Sequence, residues 1–485
     1  MMLLLALTRV ASAQPFSLDT TFNPTYAFVD ASNKNYTGFI SDLYEENDGS
    51  IMLAGGFTDL PSSDRTSWVR LLDNGQLDYS WNPPSGANSL GSVQKVGNSY
   101  LFWRFSEVIA TTLTGNFSKD YSLPIDSAFN CGSVGSPYVF KDGSFLAGIG
   151  GCAYPHPGNV QRVINFMRVG TDGYVDTSFH HNTNSTVGWT YPYDSTRILG
   201  YGFWVTEYDQ YPVNRLFRIF KNGELDTTLS IHPGIKNLGF VLHVQDDGKM
   251  IIGANQTIFP GRSDTLSLYR LHADGSFDST FNYQTNSRMS TGWPRGFSSV
   301  CPTTDGGFLI GGSFEQYDGY PRGNVVKTDG DGWIDSRYFN GSGIDSVKQR
   351  DAIDFPVSLS NIRKGQNDTY YLFGKFLMFD DQPVKPIIRL LGLSHTVSVE
   401  EEAIPNFLTV FPNPSDGQLT FSLNQNRFGR PWEIRLFDLQ GRLLDSREVS
   451  SSISEQSINL VEYTGIMIYE VEMDQEVQRG RVVLR

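Results

Sequence analysis

The stretch GWTYPYDSTRILGYGFW, from Gly188 to Trp204, gathers Trp189, Tyr191, Tyr193, Tyr201 and Trp204 beside Asp194 and Arg197. Rings with neighbouring Asp and Arg suit stacking on sugar faces or gripping a protein partner. Packing between adjacent sheets accounts for such rings equally well. Trp81, Trp103, Trp293 and Trp333, with Tyr208 and Tyr211, fall in similar settings. A second set of groups is acidic. An apolar-Asp-x-Ser/Thr-Phe phrase recurs with its carboxylate at Asp19, Asp78, Asp176, Asp226, Asp278 and Asp335. Catalytic groups break a repeat and these follow it, so they are expected to accept local backbone N–H bonds. Asp329, Asp331 and Asp335 alternate through the glycine-rich DGDGWID, as oxygen ligands of Ca2+ do. The distal Glu of an EF-hand is missing, and a doubled hairpin turn is the competing reading. No other cofactor is expected. The seven histidines show no HExxH spacing, and no GxSxG, P-loop or dinucleotide fingerprint occurs.

Two phrases alternate around these residues. One is a turn leading into an apolar strand that ends in glycine: DGSIMLAGGF from Asp48, DGSFLAGIGG from Asp142, DGKMIIGANQ from Asp247, DGGFLIGGSF from Asp305. The other is an alternating strand, a turn and the acidic phrase, as in LYRLHADGSFDSTF. Asn-Gly and Asp-Gly tolerate the positive φ of tight hairpins, and the alternation predicts strands with one buried face. Copies recur about every 45 to 60 residues, the length of a four-stranded propeller blade, giving roughly seven units between Ser17 and Leu393. The last unit stops before its acidic phrase, while SLDTTFNP at Ser17–Pro24 has the phrase and no strand before it. The N-terminal segment is therefore expected to complete the last blade and cover an open sheet edge.

With 52 acidic against 38 basic residues, the net charge of −14 argues against a nucleic-acid partner. It suits an extracellular protein. The apolar run Met1–Leu7 is too short to span a membrane, and Ala11-Ser12-Ala13 follows it, which predicts a signal peptide over residues 1–13. Cys131 and Cys152 flank the turn at Lys141-Asp142-Gly143, where a cross-strand disulfide fits an oxidising compartment; Cys301 is left over as a small buried residue.

DGKMIIGANQ followed by LYRLHADGSFDSTFN resembles the delta-60 repeat of secreted bacterial proteins, which implies a β-propeller over residues 17 to about 393 and supplies no catalytic residue. After the acidic linker 396–405, residues 406–485 read as short strands. There Phe411-Pro412-Asn413-Pro414, the run Leu436 to Arg442 containing Asp438, Gly441 and Arg442, Gly465 in Thr464-Gly465-Ile466, and the terminal Arg481–Arg485 resemble the type A sorting domain of type IX secretion. Met467 stands where that family usually has Tyr. The resemblance implies handling by the type IX secretion machinery and removal of the module outside a Gram-negative cell.

The expected architecture is all-β: a seven-bladed propeller over residues 14–395, closed by its N-terminal strand, then a small Ig-like β-sandwich. The expected role is a secreted or surface binding protein for a glycan or protein, not spanning the membrane. The rival reading is an extracellular polysaccharide lyase or hydrolase with its site at the propeller funnel.

Overall fold

The computed structural model describes residues 15–24, 39–57, 66–81, 91–104, 107–120, 136–155, 161–285, 296–345, 358–394, 408–423, 429–438, 442–460, 463–473 and 476–484. The proposed signal peptide, the linker and Cys131 lie outside them. The chain divides into two compact units, Ala13–Thr396 and Val397–Arg485. No helix occurs among the described residues.

In the first unit, antiparallel sheets follow one another along the chain. Their strands are Phe39–Glu45, Ile51–Phe57 and Thr66–Leu71; Gly91–Val96, Ser99–Arg104, Glu107–Thr112 and Phe117–Asp120; Tyr138–Val139, Phe145–Pro155 and Gln161–Val169; and Trp189–Pro192, Arg197–Tyr201 and Leu216–Phe220. There follow Phe240–Val244, Met250–Thr257, Leu266–Leu271 and Gln284–Thr285; Phe297–Pro302, Phe308–Gly312 and Val325–Thr328; and Ser358–Lys364, Thr369–Lys375 and Ile387–Leu391. The predicted turns join or end these strands. At Asp274-Gly275, the Asp274 carboxylate accepts the Ser276 N–H at 2.9 Å and Gly275 takes φ 91°, which a side chain would resist. The acidic phrase adds one β-bridge to each outer strand (Leu71 to Leu77, Ile219 to Leu225, Leu271 to Phe277) rather than a full strand.

The apolar cores lie between neighbouring sheets. Leu199 and Tyr201 of the fourth sheet pack with Met250 and Ile252 of the fifth. Ile251 and Leu268 of the fifth pack with Phe308 and Ile310 of the sixth. Ile51, Leu53 and Val69 of the first pack with Tyr371, Phe373 and Ile387 of the last, which closes the ring. The glycines ending the repeated strands permit this approach: a Cβ on Gly253 would lie 2.6 Å from the Phe297 carbonyl oxygen of the next sheet.

The N-terminal phrase does act as a clasp. Leu18 bridges Leu390, the Asp19 N–H donates to Arg389 O at 2.8 Å, and Leu391 N–H donates to Ser17 O at 3.0 Å. Phe16, 4% exposed, packs on Tyr338, Phe339 and Tyr370.

The repeated carboxylates are structural, as expected. Each accepts the N–H of the residue two further on, at 2.9 Å for Asp19, Asp78 and Asp176, 3.0 Å for Asp226 and Asp278, and 3.2 Å for Asp335. Their second oxygen meets an arginine that the sequence reading overlooked. Arg218 Nε lies 2.7 Å from Asp226 Oδ2, Arg270 Nε 2.8 Å from Asp278, and Arg389 Nε 2.7 Å from Asp19. The same guanidinium donates through Nη1 to a turn carbonyl of the next sheet: Arg218 to Ala273 at 2.8 Å, Arg270 to Gly330 at 2.9 Å, Arg389 to Asp73 at 2.8 Å. Each arginine is thus a bolt between two sheets. In the sixth sheet Lys327 takes its place and pairs with Asp305 at 3.0 Å.

In the second unit, the sheet of Leu408–Phe411, Gln418–Leu423 and Glu455–Asn459 shares one core with the sheet of Leu443–Val449, Trp432–Phe437, Gly465–Met473 and Glu476–Leu484. Asn413 ties the first strand's exit to the last strand, donating to Arg481 O at 2.8 Å and accepting the Val483 N–H at 2.9 Å. Asp438 accepts the Arg442 N–H at 2.8 Å, and Gly465 takes φ 104°. Pro412 and Pro414 flank Asn413; Gly441 lies outside the described residues.

Candidate functional site

A cavity of ≈ 1430 Å3 opens where the inner strands of the sheets converge, lined among others by Asp42, Gln94, Tyr138, Trp189, Phe240, Ser299 and Asn361. One arc of its wall is polar and internally satisfied. Arg363 Nη2 donates to Asp42 Oδ1 at 2.8 Å, and Ser299 Oγ donates to Asn361 Oδ1 at 2.8 Å while accepting the Ile362 N–H at 3.0 Å.

The arc built by the fourth and fifth sheets is aromatic. Trp189 meets Phe240 edge-on at 4.7 Å between ring centroids, and Phe203 meets both, at 5.3 Å from Phe240 and 5.6 Å from Trp189. Trp204 is 76% exposed beside them. Tyr201, fully buried behind this wall, donates its hydroxyl to Leu238 O at 2.7 Å, and burial raises its pKa; burial raises that of Tyr191 too. Arg215 lines the same arc.

Of the ring set expected from the sequence, Trp189, Tyr191, Tyr201 and Trp204 line this cavity and Tyr193 does not. Tyr193 sits in a smaller cavity of ≈ 510 Å3, its face under Arg218 at 4.4 Å and Arg197 at 4.9 Å, its hydroxyl donating to Gly248 O at 3.0 Å. Packing claims it. Trp81 is buried, Trp333 is exposed on its turn, and Trp293 lies outside the described residues. Phe203, Phe240 and Arg215 were missed. Phe203 lies within the Gly188–Trp204 stretch but is not one of the rings singled out there, Phe240 belongs to no recurrent phrase, and the signal for Arg215 was its departure from the repeat.

The carboxylates of DGDGWID have separate partners. Asp329 Oδ1 accepts the Asp331 and Trp333 N–H groups, each at 2.9 Å, Asp331 accepts Arg270 Nη2 at 2.8 Å, and Asp335 accepts Arg337 Nη2 at 2.6 Å. Among the described residues no group of three or more His, Cys, Asp or Glu is placed to hold a metal ion.

Residues 409–485 match the family described as a secretion system C-terminal sorting domain. Residues 245–281 and 304–338 match a β-propeller domain of unknown function, DUF5122. This is a β-propeller protein with a C-terminal sorting module. The module indicates export by type IX secretion to the cell surface or extracellular space. Among the described residues no helix is long and apolar enough to cross a membrane.

No curated protein matches the chain. Among solved structures it is similar to the extracellular domain of a hybrid two-component system from B. thetaiotaomicron (10% identity, TM-score 0.41), covering 96% of this chain and 59% of that one. The chain thus spans little more than half that domain's length. It is also similar to the Pan2 WD40 domain of Neurospora crassa (9% identity, TM-score 0.36, 78% and 97% covered). A third is a PL25 ulvan lyase (8% identity, TM-score 0.37, 79% and 96% covered).

Proposed function

We propose that the exported unit is a seven-bladed propeller whose central cavity binds a glycan, and that the C-terminal unit is an Ig-like module read by the type IX machinery. The aromatic arc of Trp189, Phe203, Phe240 and Trp204 is the observation that carries the glycan reading. Sugar rings present flat C–H faces that stack on such side chains. A recessed cavity admits a chain segment, whereas a protein partner of ordinary affinity needs on the order of 800 Å2 of accessible surface per side.

The cavity favours holding over cutting. Asp42 is already paired with Arg363, and burial pushes the Tyr191 and Tyr201 hydroxyls above their usual range, away from the near-neutral pKa that suits a general base. The test is retention of the mature chain on a panel of immobilised polysaccharides, with newly formed reducing or unsaturated ends recorded alongside. Retention without cleavage, weakened in Trp204→Ala, is expected. New chain ends would replace this reading with the lyase or hydrolase one, and no retention on any polysaccharide would turn the search to a protein partner.

A further inference from the structure

The position three residues before the repeat's basic residue (Arg168, Arg270, Lys327) does the same job in several sheets. Asn165 donates to Thr183 O at 2.8 Å, Ser267 to Gln284 O at 3.0 Å and Asn324 to Ile344 O at 2.8 Å, each tying the third strand to backbone 17 to 20 residues onward. In the fourth sheet that position is Arg215. Its backbone is placed as at Asn324: Gly202 N–H donates to Arg215 O at 3.0 Å as Gly312 N–H does to Asn324 O at 3.1 Å, and φ is 64° at Arg215 and 65° at Asn324. The tying has moved one residue back, to Asn214, whose Nδ2 donates to His232 O and Ile235 O, each at 3.0 Å. The Arg215 side chain is thereby spared the backbone tie and meets the Tyr201 hydroxyl instead.

It lies on the cavity wall, half-buried, next to the loop that carries Phe203 and Trp204. Among the described residues no carboxylate pairs with it, whereas the cavity's other guanidinium, Arg363, is held by Asp42 at 2.8 Å. A cation with no acidic partner among the described residues, beside an exposed indole and in a recess, is placed to meet an anion from outside.

We propose that the cavity is specific for acidic sugars: Arg215 grips the carboxylate or sulfate of a glycan whose ring stacks on Trp204. This rests on the glycan reading above and names its substrate class. The guanidinium fork matches the two oxygens of a carboxylate or two of the three terminal oxygens of a sulfate ester, while the indole supplies area without charge.

The experiment is calorimetric titration of the full chain with three soluble tetrasaccharides: a galacturonate, a sulfated galactan and neutral xylotetraose. Binding of one or both acidic probes, at least about tenfold weaker in Arg215→Gln and partly restored in Arg215→Lys, is expected; which acidic probe binds tells carboxylate from sulfate. Trp204→Ala, an exposed position whose loss leaves the core intact, should weaken the same probe with an unchanged melting temperature. Equal binding of xylotetraose, indifferent to Arg215→Gln, would overturn the acidic specificity and leave the glycan reading standing. Silence with all three probes would overturn both.

Discussion

Asp19 and Arg389, 370 residues apart, make the bond that Asp278 and Arg270 make eight residues apart: Nε to Oδ2, at 2.7 Å and 2.8 Å. The N-terminal segment therefore fills a vacant place in the last repeat, down to the backbone bond from Asp19 N–H to Arg389 O. Arg389→Ala is expected to cost about 3–5 kcal/mol, because it leaves a buried carboxylate unpaired. Removing residues 14–24 should cost at least as much by uncovering the rings that Phe16 and Phe22 pack on, Tyr338, Phe339, Tyr370 and Tyr371, and opening the sheet edge. Denaturant unfolding measures both; an unmoved midpoint in either would refute the clasp.

Acid should loosen the bolts over a defined range. At Asp226 and Asp278 burial acts to raise the pKa, but Thr228 and Thr280, the backbone N–H groups and the arginines outweigh it and bring both to about 2 from an ordinary 3.8. A depressed carboxylate stabilises the fold fully above its unfolded value and loses that contribution as pH falls through the folded one. Each is thus expected to supply about 2 kcal/mol above pH 4, lost between about pH 4 and pH 2. Guanidinium titrations at stepped pH test this. Asp278→Asn should be less stable at pH 7 and have a shallower acid limb; a limb parallel to the parent's would count against it.

Cys301 should be inert while the ring is closed. It is 4% exposed, and burial pushes its thiol up to about 12. Alkylation at pH 8 followed by peptide mass mapping should leave it unmodified until denaturant is added. Modification in the native protein would show that the interface of the sixth and last sheets opens.

Loss of residues 406–485 should leave the propeller in the periplasm of a type IX-secreting host. Fractionation and immunoblotting decide this, and normal appearance outside the cell would overturn the sorting role.

The repeat, its hairpin turns and the orphan N-terminal phrase were legible because the φ demands of tight turns and the alternation of strands write themselves into every copy. The basic position left a legible trace too, Arg70, Arg168, Arg218, Arg270 and Lys327 recurring eight residues before the phrase's Asp, but at Arg218 and Arg270 a further bond runs to another sheet, which spacing along one copy does not reveal. The aromatic stretch reaches the cavity without sorting its members: Trp189 opens the strand on the cavity, while Tyr193, four residues on and just past the strand's end, lies under two arginines. Which way a ring faces depends on the neighbouring sheet. Phe240, from that neighbour, completes the wall and has no mark of its own.

The placement of the clasp also sets an order of events. A chain that crosses a membrane beginning with its first residues delivers Asp19 long before Arg389, so the earliest segment to arrive is the last to find its place. Joining ends separated by that much chain costs an entropy on the order of 5 kcal/mol, which becomes affordable only once all the intervening sheets have assembled and hold Arg389 within reach. The ring is a latch that shuts once, after the final strand has emerged.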